Sequence, residues 1–222
     1  MEIRQMQIPV GHMGNLSYII YKTSENSAER DAVLIDPAWE AEKLAKLIKE
    51  KELNLRAVLL THGHFDHSNA VPAILRAFPG ISVYMRAEDA DLPEENFPFI
   101  SFSEGFAVPE MPQITAMLTP GHTGGSACWL LSGADAGGTD SLFTGDTLFA
   151  GACGRIDFPE SLPDRMHGTL RRLAQMKGNP AIFPGHSYNR ADSTLADEIR
   201  TNPYMKAAME LDKNGFLEIM MY

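Results

Sequence analysis

The sequence predicts a layered α/β (α+β) protein, with short strands and helices stacked as sheet and helix layers within one domain, residues 1–222. Two observations predict it. Apolar runs rich in β-branched or aromatic residues recur along the chain, the early ones in a row and the later ones separated by helical stripes. No internal repeat, low-complexity tract or long linker interrupts that order.

Taken in order, strands are expected near Ile3–Ile8, Leu16–Tyr21, Ala32–Ile35 and Ala57–Leu60. The first helical stripe, Leu44, Leu47 and Ile48, falls between the last two of these, and a second, Val71, Ile74, Leu75 and Phe78, follows them. Further strands are expected at Ser82–Tyr84, Ile114–Leu118, Ala127–Leu131, Ser141–Thr144 and Ala181–Phe183. A third stripe, Met166, Leu170, Leu173 and Met176, has a start signal in Ser161, Pro163 and Asp164 and a stop at Gly178. Short helices close the chain at Asp192–Arg200 and Tyr204–Leu211. Asp91–Pro112, broken by Pro93, Pro98, Pro109 and Pro112, reads as a loop placed over a site, and Ser132–Asp140 as a turn.

Composition narrows function. With 44% hydrophobic and 22% charged residues the chain is ordinary for a globular protein. A net charge of −10 argues against a nucleic-acid partner, which needs a basic face. No apolar run approaches the roughly 18 residues that span a bilayer. Met1-Glu2-Ile3-Arg4 opens no signal peptide, and Cys128 and Cys153 are the only cysteines, so reduced thiols in the cytoplasm are expected.

Chemistry concentrates after the strand ending at Leu60, in Thr61-His62-Gly63-His64-Phe65-Asp66-His67. Imidazole and carboxylate are the donors a borderline cation such as Zn²⁺ takes, at about 2.0–2.2 Å. Alternation in an extended segment points His62 and His64 to one side, and Asp66 and His67 then enter a helical turn facing a second ion. Further pieces repeat the form, a polar donor just past a short apolar strand: Pro120-Gly121-His122-Thr123, Gly145-Asp146-Thr147 and Pro184-Gly185-His186-Ser187. A glycine precedes each donor, as a sharp turn at a strand end requires. Of the seven histidines, all but His12 and His167 fall in these segments. A solvated histidine-rich loop does not account for that distribution.

This arrangement resembles the metallo-β-lactamase superfamily, whose signature is His-x-His-x-Asp-His, then a lone His, a Gly-Asp and a final His. The resemblance runs from about residue 8 to about residue 205. It implies a four-layer αββα sandwich with the site at the edge between the sheets. It also implies roles: His62, His64 and His122 on one metal, Asp66, His67 and His186 on the second, and Asp146 bridging both, with Asp66 and Asp146 acting in catalysis. Two divalent ions, Zn first and Fe or Mn next, would share a water of lowered pKa whose hydroxide attacks a small ester or thioester.

Gly145-Asp146-Thr147-Leu148-Phe149, Cys153-Gly154-Arg155, Pro184-Gly185-His186 and Asn202-Pro203 are similar to glyoxalase II and its smaller bacterial relatives. That similarity implies a small-molecule substrate such as a glutathione thioester. It also implies that Asp36, in Leu34-Ile35-Asp36-Pro37, supports a ligand histidine. The chain departs from that group where glyoxalase II grips glutathione with a lysine and a tyrosine: Arg155 and Asp157 stand in those places. Its basic C-terminal helical extension is not expected here. Arg155 and Tyr188 are the candidate substrate contacts, Thr61, Thr123 and Ser126 lesser supports of the site.

Cys153-Gly154-Arg155-Ile156-Asp157-Phe158 is also similar to persulfide dioxygenases of the same fold, which implies a single iron on His62, His122 and Asp146. A binding domain that has lost catalysis is the third reading, set against a full complement of donors. His12 and His167 read as surface residues, and Cys153 as a thiol buried near the site.

Overall fold

The computed structural model describes residues 2–23, 30–133, 139–188 and 192–220. The elements run β1 (Glu2–Val10), β2 (Asn15–Thr23), β3 (Asp31–Ile35), α1 (Ala41–Glu50), β4 (Asn54–Leu59), α2 (Phe65–Ser68), α3 (Val71–Ala77) and β5 (Ser82–Tyr84). Next come β6 (Ala107–Val108), β7 (Met111–Leu118), β8 (Ala127–Leu131), β9 (Ser141–Gly145), β10 (Leu148–Phe149), β11 (Ala152–Cys153) and α4 (Pro163–Ala174). Last are β12 (Ala181–Pro184), β13 (Ser193–Thr194), α5 (Leu195–Thr201), α6 (Pro203–Glu210) and α7 (Lys213–Met220).

One sheet has the order β1-β2-β3-β4-β5, the other β13-β12-β9-β8-β7-β6, and β10-β11 is a small hairpin. Successive strand side chains point to opposite faces, and the apolar residues sort accordingly. Along β3, Val33 and Ile35 join the layer between the sheets with Tyr18, Leu59, Trp129 and Phe143. Ala32 and Leu34 face the other way, against Leu44 and Ile48 of α1 and Val71 and Ile74 of α3. The second sheet repeats the device: Trp129 and Leu131 point inward, while Cys128, Leu142 and Ile182 meet Met166, Leu170 and Leu173 of α4, Met205 of α6 and Phe216 of α7. Buried on both faces, these strands read as continuous apolar runs. The result is the expected αββα order of layers, a mixed α/β fold.

The connections decide where the donors go. β3 pairs parallel with β4, and β12 parallel with β9. β7 reaches β9 through two antiparallel steps, so it too runs in the same sense as β9. The C-terminal ends of β4, β7, β9 and β12 therefore open at one edge, where hydrogen bonds cross from sheet to sheet. Ala127 N donates to Thr61 O at 2.8 Å, Leu16 N to Gly185 O at 2.9 Å and Trp129 Nε1 to Leu60 O at 3.1 Å.

Some expectations are corrected. The segment Asp91–Pro112 is no loop over the site: Phe97 and Phe99 pack against the α1/α3 layer, Phe102 is buried and Phe106 packs between the sheets. Its aromatic rings decide its place, not its prolines. Ser161 does not cap α4; the cap position is Leu162, and the Ser161 hydroxyl donates to His122 O at 2.7 Å instead. The helix expected from Asp192 begins at Leu195, because Ser193 and Thr194 first pair with β12. The turn expected over Ser132–Asp140 falls largely on residues 134–138, outside those described. The helix Lys213–Met220 escaped the sequence reading; Gly215 interrupts its pattern, yet Phe216 is fully buried.

Candidate metal centre

Each donor leaves a strand end in a way its neighbours enforce. His62 lies past β4 and is buried to 1% exposure. His64 is the residue before α2 with an extended ψ of 146°, and Asp66 and His67 occupy that single turn, as expected. Gly145 has φ +49°, the left-handed conformation that glycine adopts freely, and this turn presents Asp146. At Gly185 the reason is space rather than dihedral freedom: a Cβ there would stand 2.5 Å from Asp146 Oδ1 and 2.6 Å from His67 Cε1. Gly121 likewise lacks a positive φ, and a Cβ would meet Met166 Cα at 2.9 Å. Of Gly121, Gly145 and Gly185, only Gly145 takes the left-handed conformation.

The four loops bring their side chains together as two groups, and a third set, Asp36, His62 and His67, links them from behind. His62, His64 and His122 form one, and Asp66, His67 and His186 the other, the donor atoms of each lying within 4.8 Å of one another. In the first, His122 Nε2 is 3.0 Å from His64 Nδ1. In the second, His67 Nε2 is 3.2 Å from His186 Nε2, and Asp66 Oδ2 is 3.4 Å from His186 Nε2. Asp146 stands between them. Its Oδ2 is 3.5 Å from both His122 Nε2 and His186 Nε2, and its Oδ1 is 3.3 Å from His67 Nε2.

Two buried polar atoms at the centre lack a hydrogen bond, His62 Nε2 and Asp146 Oδ1; His67 Nε2 approaches the latter without hydrogen-bonding geometry. A buried polar atom without a partner costs about 1–3 kcal/mol, so such orphans call for an explanation. Both orphans face the two donor groups, and nitrogen and carboxylate are the donors a divalent transition-metal ion accepts. The residues fit a metal centre.

Electrostatics separate the groups. Burial among other imidazoles holds His62 well below the usual histidine range, and His122 is lowered for the same first reason. Burial would lower His67 too, but the adjacent carboxylates of Asp146 and Asp36 raise it well above that range. His186 follows His67: against the effect of burial, hydrogen bonds to Asp146 and Asp66 hold it at about 9. Burial opposes ionisation of Asp66, yet His186, His67 and Asn15 pull it down to about 2, and Asp146 is lowered well below the carboxylate range by His67, His186 and His122.

Asp36 lies directly behind His67. Its Oδ1 accepts from Thr61 N at 2.8 Å, and its Oδ2 accepts from Thr61 Oγ1 at 2.6 Å and lies 3.1 Å from His67 Nδ1. It does so from a left-handed φ of 47°, a conformation Asp tolerates better than most residues. Thr123 and Ser126 join a second anchor that sequence reasoning missed. Buried Asp89 accepts from Gly63 N at 2.9 Å, Thr123 Oγ1 at 2.8 Å and Gly125 N at 2.7 Å, tying the two loops of the first group. Asn15 was missed as well; its Nδ2 donates to Asp66 Oδ2 at 3.0 Å, and its Oδ1 accepts from Trp39 Nε1 at 2.9 Å.

A cavity of about 620 Å³ opens on the donors, walled by Met13, Phe65, Phe149, Phe158, Arg155 and Tyr188. Tyr188 stacks on His186 at 4.5 Å, and the Arg155 guanidinium caps Phe158 at 4.7 Å while pairing with Asp157 at 2.7 Å. Cys153, half-buried, lies on the cavity wall, and burial pushes its thiol up to about 12. His12 is exposed and packs on Trp39 at 4.9 Å, away from that wall. His167, expected to be solvated, is half-buried: its Nε2 lies 3.2 Å from Leu211 O, and its ring packs on Phe216, because α7 covers that face.

A four-layer sheet-and-helix sandwich with a paired histidine–carboxylate centre at the edge between its sheets defines a class of metal-dependent hydrolase fold. The model of the metallo-beta-lactamase superfamily matches residues 13–186, and the chain belongs to that superfamily. It is 30% identical to a probable polyketide biosynthesis zinc-dependent hydrolase of Bacillus subtilis, over 91% of this chain and 84% of that one. It is 31% identical to a hydroxyacylglutathione hydrolase of Haemophilus influenzae, over 81% of this chain and 89% of the other. Among solved structures, TTHA1623 in a di-iron-bound form superposes with a TM-score of 0.73 at 29% identity, covering 90% of this chain and 99% of that one. No helix among the described residues is long and apolar enough to cross a membrane.

Proposed function

We propose that this chain is a binuclear metal-dependent hydrolase of small acyl thioesters, acting as one domain in the reducing cytoplasm, where its free Cys128 and Cys153 would persist. The observation that carries the reading is the pair of adjacent donor groups sharing Asp146, with His62 Nε2 and Asp146 Oδ1 left unpartnered at their centre. His62, His64 and His122 would hold one divalent ion, and Asp66, His67 and His186 the other, with Asp146 reaching both. Zinc is the first candidate, as in the name of the Bacillus relative, and iron the next. Held so, two such ions supply a water ionised near neutral pH and a polarised carbonyl.

The chain's own residues do the rest. Asp66 is ionised at neutral pH, and its carboxylate, held by Asn15 Nδ2 at 3.0 Å, orients the attacking water by accepting its O–H. Burial, with Asp146 and Asp66 nearby, pushes the Tyr188 phenol up to about 12, so it stays a neutral O–H donor at the rim. Met13, Phe65, Phe149 and Phe158 bind an apolar acyl or thiol arm and exclude bulk water. A thiol leaving group has a pKa of about 8.5 and departs without a strong general acid. None is found on the cavity wall, where Cys153 and Tyr188 keep their protons, and thioester cleavage is the reaction this set serves best. The hydroxyacylglutathione hydrolase relative makes a glutathione thioester the first substrate to try.

The test pairs elemental analysis of purified protein with a lactoylglutathione hydrolysis assay. Two ions per chain and thioester turnover are expected. Absence of any transition metal under metal-replete conditions overturns the reading. One iron per chain with oxygen uptake on a glutathione persulfide would instead make it a mononuclear dioxygenase on His62, His122 and Asp146.

A further inference from the structure

Every imidazole of the centre has an oxygen against the ring nitrogen that faces away from the donor group. Three of these oxygens are neutral: Thr61 Oγ1 at 3.0 Å from His62 Nδ1, the Arg155 carbonyl at 2.8 Å from His122 Nδ1, and the Met13 carbonyl at 3.1 Å from His186 Nδ1. Two are carboxylates, one in each group. Asp36 serves His67 in the second group, and Glu160 Oε1 lies 2.6 Å from His64 Nε2 in the first. His64 is also the one histidine of the five turned the other way, with Nδ1 toward its group, 3.0 Å from His122 Nε2, and Nε2 outward.

The segment that carries Glu160 is bolted to the neighbouring loop. Ser161 Oγ donates to His122 O at 2.7 Å, Leu162 N donates to Gly121 O at 2.8 Å, and the Phe158 ring meets His64 and His122 edge-on at 5.4 and 5.7 Å. Residues 158–162 thus form a strap across the first group, fixed to His122 at one point and gripping His64 at another.

Resting on the two-ion reading above, we propose that Glu160 is a positioning residue of the first metal. Its carboxylate accepts the His64 Nε2–H, fixes the tautomer that leaves Nδ1 free to ligate, and makes that nitrogen a stronger donor. A carboxylate behind a ligating imidazole acts in this way generally, and its loss typically costs about 10- to 100-fold in metal affinity. Asp36 divides its charge among Thr61 N, Thr61 Oγ1 and His67 and is buried at 2% exposure, whereas the Glu160 side chain is 26% exposed. Replacing Glu160 therefore disturbs the metal more than the fold.

The experiment titrates full-length protein with Co²⁺, followed by visible absorption and by chelator competition, in wild type, Glu160→Ala and Glu160→Gln. In wild type two ions are expected. In Glu160→Ala one of the two should bind about 10- to 100-fold more weakly with an altered cobalt spectrum, and the other as before. Glu160→Gln, whose amide oxygen still accepts the N–H, should recover most of the affinity and keep a shifted spectrum. Its smaller change guards against a folding defect in the alanine variant. Two wild-type ions and both variants matching wild type in affinity and spectrum would overturn the role of Glu160 and leave the two-ion reading standing. A wild-type protein that takes up no cobalt overturns both.

Discussion

The two donor groups share Asp146 and a cavity, yet their surroundings push His62 and His122 in one direction and His67 and His186 in the other. In the first group burial keeps His62 and His122 neutral, with lone pairs ready for a cation. In the second, Asp146 and Asp66 hold protons on His67 and His186, so a cation arriving there displaces protons. The difference follows from where the carboxylates stand. Asp66 lies against His186 and Asp36 against His67, Asp146 reaches both groups, and Glu160 meets the first only at the outward Nε2 of His64.

The sharpest break of this comparison is Asp146→Ala. Removing the shared carboxylate strips both groups of a donor, and turnover should fall by at least about 10²–10³-fold, the scale of losing an electrostatic element at a reacting centre, with metal content reduced. Full activity in that variant refutes the shared-carboxylate arrangement. Next in size, Asp36→Asn weakens the carboxylate behind His67 and should cost about 10- to 100-fold in affinity for one ion, the other being unchanged. Competition with a chromophoric chelator reads this directly, and equal weakening of both ions would erase the distinction between the groups.

pH dependence sharpens the comparison. His186 sits at about 9 in the folded protein against about 6.5 unfolded. Its contribution to metal-free stability is therefore complete below about 6.5 and lost as pH rises through about 9. Thermal melts of metal-free protein should drop over that window, while the metal-loaded protein, whose cations replace those protons, should not follow. The sequence-based expectation that affinity weakens below about 6.5 is refined in turn. The ion beside His67 and His186 should weaken at a higher pH than the ion beside His62 and His122, whose pKa values are lowered. Release of both ions in one window would contradict this.

Smaller effects belong to the rim. Arg155 is exposed and already paired with Asp157, so Arg155→Ala should raise KM for an anionic thioester about threefold or less and leave metal content alone. The Cys153 thiol should resist iodoacetamide at pH 8 in the folded protein and react once unfolded, since burial holds it at about 12.

The strands and the three longer apolar stripes were legible because each is a local pattern: alternation or a 3.6-residue period needs only a few neighbours. Donors were legible for a similar reason, each following an apolar run within a residue or a few. The short pairs β6, β10, β11 and β13 were not, because two-residue strands carry no periodicity and exist only where a partner meets them. Arg155 and Tyr188 were found on the cavity wall where expected, but the Asp157 that occupies Arg155 became evident only in the fold.

By itself, the order of residues determined which groups are on offer as metal donors, since imidazole and carboxylate chemistry belongs to the side chain and the spacing His62-x-His64-x-Asp66-His67 sets their local directions. Only the tertiary structure decided which ring nitrogen faces inward, which imidazoles carry a proton and what holds each in place. Those depend on partners far along the chain: Asn15 is 51 positions from Asp66, Glu160 is 96 from His64, and His186 is 119 from His67. Hydrogen bonds and charges act over a few ångströms of space, and no local pattern records which distant segments will share it.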